Sequence, residues 1–70
     1  MSETFSTRLK ELRIDRKLKQ SDIADDLGIT DQAISNYELG KREPRIPDLI
    51  LIADYFHVSI DYLVGRSDEM

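Results

Sequence analysis

The sequence predicts an all-α domain, a five-helix bundle spanning residues 1–70, and three observations lead there. No stretch alternates apolar and polar residues for long enough to propose a strand, whereas apolar residues recur at helical spacing along the chain. Glycine occurs at three positions only, Gly28, Gly40 and Gly65, each just past one of those periodic segments, where a helix commonly ends. The chain has 70 residues and no cysteine, so one small apolar core must hold it without disulfides; a chain this short buries about 60% of its unfolded surface.

The elements follow in order. Phe5, Leu9 and Leu12 stand at i, i+4 and i+7 and predict a first helix from about Thr4 to Lys17. Ile23, Ala24 and Leu27 give a short second helix, about Gln20 to Leu27. Ile34 and Tyr37 anchor a third, about Asp31 to Leu39, with Thr30 before it as a hydroxyl cap. Leu49, Ile52, Ala53 and Phe56 share one face of a fourth helix, about Ile46 to Phe56. Pro44 precedes this helix and Pro47 falls in its first turn, where the missing N–H is tolerated. Ser59 caps a last short helix carrying Ile60, Leu63 and Val64. The polar tail 66–70 is expected to be loose.

Composition narrows the function. The longest apolar run, Leu49 to Ala53, is too short to span a bilayer, and the N-terminus lacks the pattern of a signal peptide. The expectation is a soluble cytoplasmic domain with no membrane partner. The net charge of −4 argues at first against a nucleic-acid partner. Its distribution is uneven, however. Arg8, Lys10, Arg13, Arg16, Lys17 and Lys19 crowd the first helix and the residues after it, acids dominate the middle, and Lys41, Arg42 and Arg45 return cations before the fourth helix. Local arrangement, rather than the sum, sets the field a ligand meets.

The informative stretch is residues 19–38, with the two-helix motif at about 20–39. Two short helices meet there across a tight turn at Gly28. Ala24 is small where the helices approach, and Ile23, Leu27, Ile29 and Ile34 are expected to point inward. The outer face of the third helix is left with Asp31, Gln32, Ser35 and Asn36, short polar side chains able to reach base edges. A helix fits the major groove of B-DNA, where donors and acceptors distinguish all four base pairs.

In these residues the sequence resembles the Cro/cI-type, or xenobiotic-response-element, helix-turn-helix repressor family. The likeness runs from about Leu9 to Gly65. It rests on Gln20, Ala24, Gly28, Ile34-Ser35, Tyr37-Glu38, Gly40-Lys41-Arg42 and Pro44, and on the closing Leu49, Ile52-Ala53, Phe56, Val58-Ser59, Leu63 and Gly65. It implies a bundle of the lambda-repressor-like type, binding double-stranded operator DNA as a homodimer and regulating transcription as a repressor, without a cofactor. It implies base reading by Asp31, Gln32 and Ser35, with Thr30 and Asn36 at phosphates or bases. Gln20 would touch phosphate, Lys41 and Arg42 would lie near the backbone, and Arg45 matches a position that enters the minor groove in some relatives. It also implies an ion pair between Arg13 and Glu38.

Four positions depart from that pattern. Lys19 stands where a capping hydroxyl is usual; it cannot accept an N–H but offers a phosphate a cation. Asp31 puts a carboxylate beside the DNA. His57 stands where glycine or asparagine ends the fourth helix, and is expected to be left-handed. Leu51 is an apolar residue on an outer face, a candidate for self-association with Ile50 or the last helix. Tyr37 reads first as core, with its hydroxyl within reach of a phosphate, and Arg8, Lys10, Arg16 and Lys17 read mostly as solubilising charge.

Other classes fit less well. Asp22 and Asp26 are one turn apart, yet oxygen-ligand metal sites usually need more partners. His57, the single histidine, has Asp54 nearby but no nucleophile, and no glycine-rich phosphate loop is present. No catalytic or metal residue is therefore assigned. The remaining alternative is a protein-binding module that keeps the fold without touching DNA, which the acidic net charge favours.

Overall fold

Five helices carry the chain: α1 Ser2–Asp15, α2 Gln20–Leu27, α3 Asp31–Glu38, α4 Ile46–Phe56 and α5 Ile60–Val64. The computed structural model describes residues 2–70, with side chains from residue 4 onward, and among them no strand occurs. The periodic apolar residues turn to one core, except Ile60, which is exposed at the start of α5. Phe5, Leu9, Ile23, Ile34, Ile52, Phe56 and Leu63 are fully buried, and Leu18, Leu27 and Ile29 pack against them. Helix α1 lies against α3 and α5, while α2 packs on α3 and α4. Phe5 meets Tyr37 edge to face, with ring centroids 6.0 Å apart.

The ends of α2 and α3 fix the angle of the motif. The Asp22 carboxylate accepts the Lys19 backbone N–H at 2.8 Å, so an acid inside the first turn secures the entry that the lysine side chain cannot cap. Gly28 ends α2 with φ 71°, a conformation that costs a residue with a Cβ. The Ile29 N–H then reaches back to the Ala24 carbonyl at 3.0 Å. The Thr30 hydroxyl accepts the Ala33 N–H at 3.1 Å and starts α3. Ser59 does the same for α5, accepting the Tyr62 N–H at 3.0 Å.

Helix α1 stops at Asp15, short of the expected Lys17. Lys17 itself adopts φ 56°, and the Leu18 N–H donates to the Arg13 carbonyl at 3.1 Å. The turn lets Leu18 fold onto the core, and with no glycine there the sequence carries no mark of it. Helix α3 ends at Glu38, with Leu39 as its C-cap.

The tail is not loose. The Arg66 N–H donates to the Asp61 carbonyl at 2.8 Å, and the Ser59 N–H donates to that of Met70 at 2.7 Å, so residues 66–70 fold back along α5. Arg8 holds this return. Its guanidinium donates to the Tyr62 carbonyl, to that of Ser67 at 2.7 Å and to Asp68 at 2.9 Å, and it lies 4.2 Å from the Tyr62 ring centroid. Arg16 is also structural. It donates to the Phe56 carbonyl at 2.7 Å, where a cation complements the end of a helix. Neither arginine is merely solubilising.

Helix α4 ends at His57, which holds φ 56° and ψ 44°. This is a left-handed conformation that an imidazole-bearing residue adopts only at some cost. His57→Gly should therefore raise the unfolding free energy by about 0.5–1 kcal/mol, read from the urea midpoint at constant m; a lowered midpoint would mean that the histidine side chain contributes more than the backbone strain removes.

Candidate nucleic-acid interface

The site is built from the outward face of α3, the start of α2 and the loop between α3 and α4. Burial of Ile34 and Tyr37 sets the rotation of α3. Asp31 and Gln32 are then exposed, with Ser35 and Asn36 half-buried on the same side. Residues four apart on a helix are neighbours, and here the Gln32 amide nitrogen donates to Asn36 Oδ1 at 3.1 Å.

What holds this face in place is a carboxylate. Glu38, with its side chain only 4% exposed, accepts from Arg13 Nε at 2.7 Å and from Arg13 Nη2 at 3.0 Å. This two-pronged geometry is the one that suits guanidinium and carboxylate. Arg13 also donates to the Leu18 carbonyl at 3.1 Å, so one side chain spans α1, the turn after it and α3. The bond to Glu38 holds the guanidinium above its usual pKa against the opposing effect of burial. The expected Arg13–Glu38 pair is thus present. Gln20 joins it, its amide donating to Glu38 Oε1 at 3.3 Å. The first residue of α2 is thereby tied to the last residue of α3.

Tyr37 is core. Its hydroxyl donates to Asp48 on α4 at 2.9 Å. Burial first, and then the Asp48 carboxylate, hold the hydroxyl above the usual tyrosine pKa, while the Arg42 and Arg45 charges partly offset them. Asp48 is not legible from sequence as a site residue, because the pairing is between helices and no local spacing announces it. Lys19, Lys41, Arg42 and Arg45 are exposed, and no ion pair among the described residues engages them. Thr30 caps α3, between the two groups of cations in the chain. Among the described residues, α3 thus carries an outward polar face, and these four cations are left outside ion pairs. Asp26 accepts the Tyr55 hydroxyl at 2.7 Å, so that acid belongs to the seam between α2 and α4.

The helix-turn-helix family model matches residues 9–63, which take in α2, α3 and the Arg13–Glu38 pair. The chain belongs to the Cro/cI-type helix-turn-helix family. It is 50% identical over 66 residues to the uncharacterized HTH-type transcriptional regulator YqaE of Bacillus subtilis, covering 93% of this chain and 57% of that protein. It is 30% identical over 64 residues to the cryptic phage CTXphi transcriptional repressor RstR of Vibrio cholerae, covering 91% of this chain and 58% of the relative. A crystal structure of a transcriptional regulator from Listeria innocua superposes with a TM-score of 0.84 at 38% identity, covering 94% of this chain and 62% of that one. The chain thus spans little more than half the length of the curated relatives it matches. The matched residues form the helix-turn-helix domain that the chain shares with these regulators.

Glu38→Ala should cost about 3 kcal/mol in urea unfolding, because it leaves a largely buried guanidinium without its counter-charge. The double variant Arg13→Ala with Glu38→Ala should lose clearly less than the sum of the two single losses. Additive losses would show that the pair does not act as a unit.

Proposed function

We propose that the domain represses transcription by holding α3 of each of two copies in successive major grooves of a roughly palindromic operator, about 34 Å apart. The observation that carries this reading is the outward face of α3, which presents Asp31, Gln32 and Ser35 on a rotation fixed by buried Ile34 and Tyr37. Gln32 reads adenine, since a side-chain amide matches its N7 and N6 edge, and Ser35 and Asp31 add discrimination. Lys19, Gln20, Lys41 and Arg42 fix the register on phosphates together with the N-terminal end of α3, and Arg45 approaches the minor groove. Pairing of two copies is supported by the outer side of α4, where Ile46 is 72% exposed and Ile50 and Leu51 are also open, close in sequence to exposed Ile60. Among the described residues no helix is long and apolar enough to cross a membrane, and the proposed place of action is DNA in the cytoplasm. The role is recognition rather than catalysis.

Two measurements test it. If each copy neutralises about three phosphates, log K against log salt on duplex DNA should fall with a slope of about −5. A slope near zero would favour a protein-binding module instead. Gln32→Ala should cost about 1–3 kcal/mol on the preferred operator and almost nothing on random duplex, whereas Lys41→Ala should weaken both alike and flatten the salt slope. Equal losses on both DNAs for Gln32→Ala would make it a positioning residue.

A further inference from the structure

Residues 39–45 join α3 to α4 and carry Lys41, Arg42 and Arg45. At the near end the Lys41 N–H donates to the Asn36 carbonyl at 2.9 Å, and at the far end the Leu49 N–H donates to that of Arg45 at 2.9 Å. Pro44 is buried between them, but no described hydrogen bond or ion pair engages Arg42 or Glu43. One side-chain bond crosses the loop. The Tyr37 hydroxyl donates to Asp48 Oδ2 at 2.9 Å, between residues 11 apart in the chain. The tyrosine is only 3% exposed and its ring is set edge to face against Phe5, so the hydroxyl is a fixed peg. Asp48, half-buried in the first turn of α4, is held to it. The single hydroxyl hydrogen is thereby committed, and none is left for a phosphate. The charges of Arg42 and Arg45 also reach this hydroxyl, where they offset part of the upward push that burial and the Asp48 carboxylate exert on its pKa. Both guanidinium groups thus stand within the field of Asp48, although neither is paired with it.

We propose that Asp48 is a positioning residue for DNA binding: its bond to Tyr37 clips the loop so that Lys41, Arg42 and Arg45 meet phosphates already ordered, and its charge restrains the pull of those cations on any duplex. This rests on the reading of the three cations as DNA backbone and groove contacts. Asp48 itself touches no DNA. A loop fixed before binding loses less conformational freedom when it docks, so the clip favours binding. A carboxylate beside the same cations lowers the positive potential that a phosphate meets, so the charge opposes binding. Two properties of one side chain therefore act with opposite sign, and they can be separated. Asp48→Asn keeps an oxygen for the tyrosine hydroxyl and removes the charge, whereas Tyr37→Phe removes the bond and leaves the charge. Neither effect distinguishes one sequence from another, because phosphate contacts carry no sequence information.

Affinities of the wild type, Tyr37→Phe and Asp48→Asn for a selected operator and for random duplex, measured across a salt series, test this. Circular dichroism at the assay temperature checks that each variant is folded, and amide exchange of residues 41–43 reads the loop directly. Tyr37→Phe should weaken both duplexes by the same factor, about two- to tenfold, flatten the salt slope and speed exchange in the loop. Asp48→Asn should strengthen both by about two- to fivefold at low salt, with the gain fading as salt rises and loop exchange unchanged. A merely structural bond predicts otherwise: both variants would lower the urea midpoint and leave DNA affinity where it was, and that result overturns the proposal. Weakening by both variants overturns it too, since the carboxylate charge would then help binding. So does a Tyr37→Phe loss confined to the selected operator, which would place the effect in α3 rather than in the loop. These results leave DNA recognition by α3 standing, whereas a wild type that binds no duplex at low salt removes both.

Discussion

The orientation of α3 depends on one buried carboxylate. Glu38 stands at the end of the helix and receives two hydrogen bonds from Arg13 and one from Gln20. A short helix cannot hold its own angle by intrinsic propensity, since eight residues fall below the length at which isolated helices persist in water. Apolar packing of Ile34 and Tyr37 supplies the adhesion, but it is non-directional. The two-pronged contact with Arg13 is directional. Replacing such a pair with apolar residues is often neutral for stability, so orientation rather than adhesion is what it contributes. The bond from Tyr37 to Asp48 adds a second fixed point, between α3 and α4, beside the loop bearing Arg42 and Arg45.

Much of this is legible from sequence because the signals are local. A helix whose inner face repeats every three to four residues declares both its existence and its rotation, which is why the sequence alone assigns Gln32 and Asn36 to the outside of α3. Thr30, Ser59 and Gly28 mark their boundaries by chemistry that needs no distant partner. The end of α1 differs from expectation because Lys17 takes a left-handed conformation that a lysine does not advertise; Leu18 must reach the core, and that is a tertiary demand. Arg8 and Arg16 depart from the solubilising part expected of them for the same reason. Their partners lie in α5, in the tail and at the end of α4, far away in sequence, and nothing in their spacing pairs them with a carbonyl.

The acidic net charge is also a matter of placement. Glu38 and Asp68 are neutralised by Arg13 and Arg8. Asp22 is bound to the entry of α2, and Asp26 faces Tyr55 across the α2–α4 seam. The arginines with structural duties are Arg8, Arg13 and Arg16, whereas Lys19, Lys41, Arg42 and Arg45 are exposed and outside the ion pairs of the described residues. A sum over the sequence counts all of these alike, but a duplex approaching α3 would meet chiefly the last group, within a screening length of about 8 Å at physiological salt.

Asp31, like Glu43 in the loop after α3, is an exposed carboxylate with no hydrogen-bond or ion-pair partner among the described residues, and it stands in the first turn of α3. Thr30 already caps the helix, so capping does not require the acid. The helix N-terminus favours a negative charge there by only about 0.3–1 kcal/mol. In the proposed complex this carboxylate repels the phosphates of every sequence alike and so weakens random binding. A cytosine amino group at the right position gives it a donor, and at that site alone the repulsion is offset. An acid on the reading face therefore lowers affinity and raises the ratio between correct and incorrect sites. That ratio, taken together with the number of competing sites, is what determines occupancy on a genome.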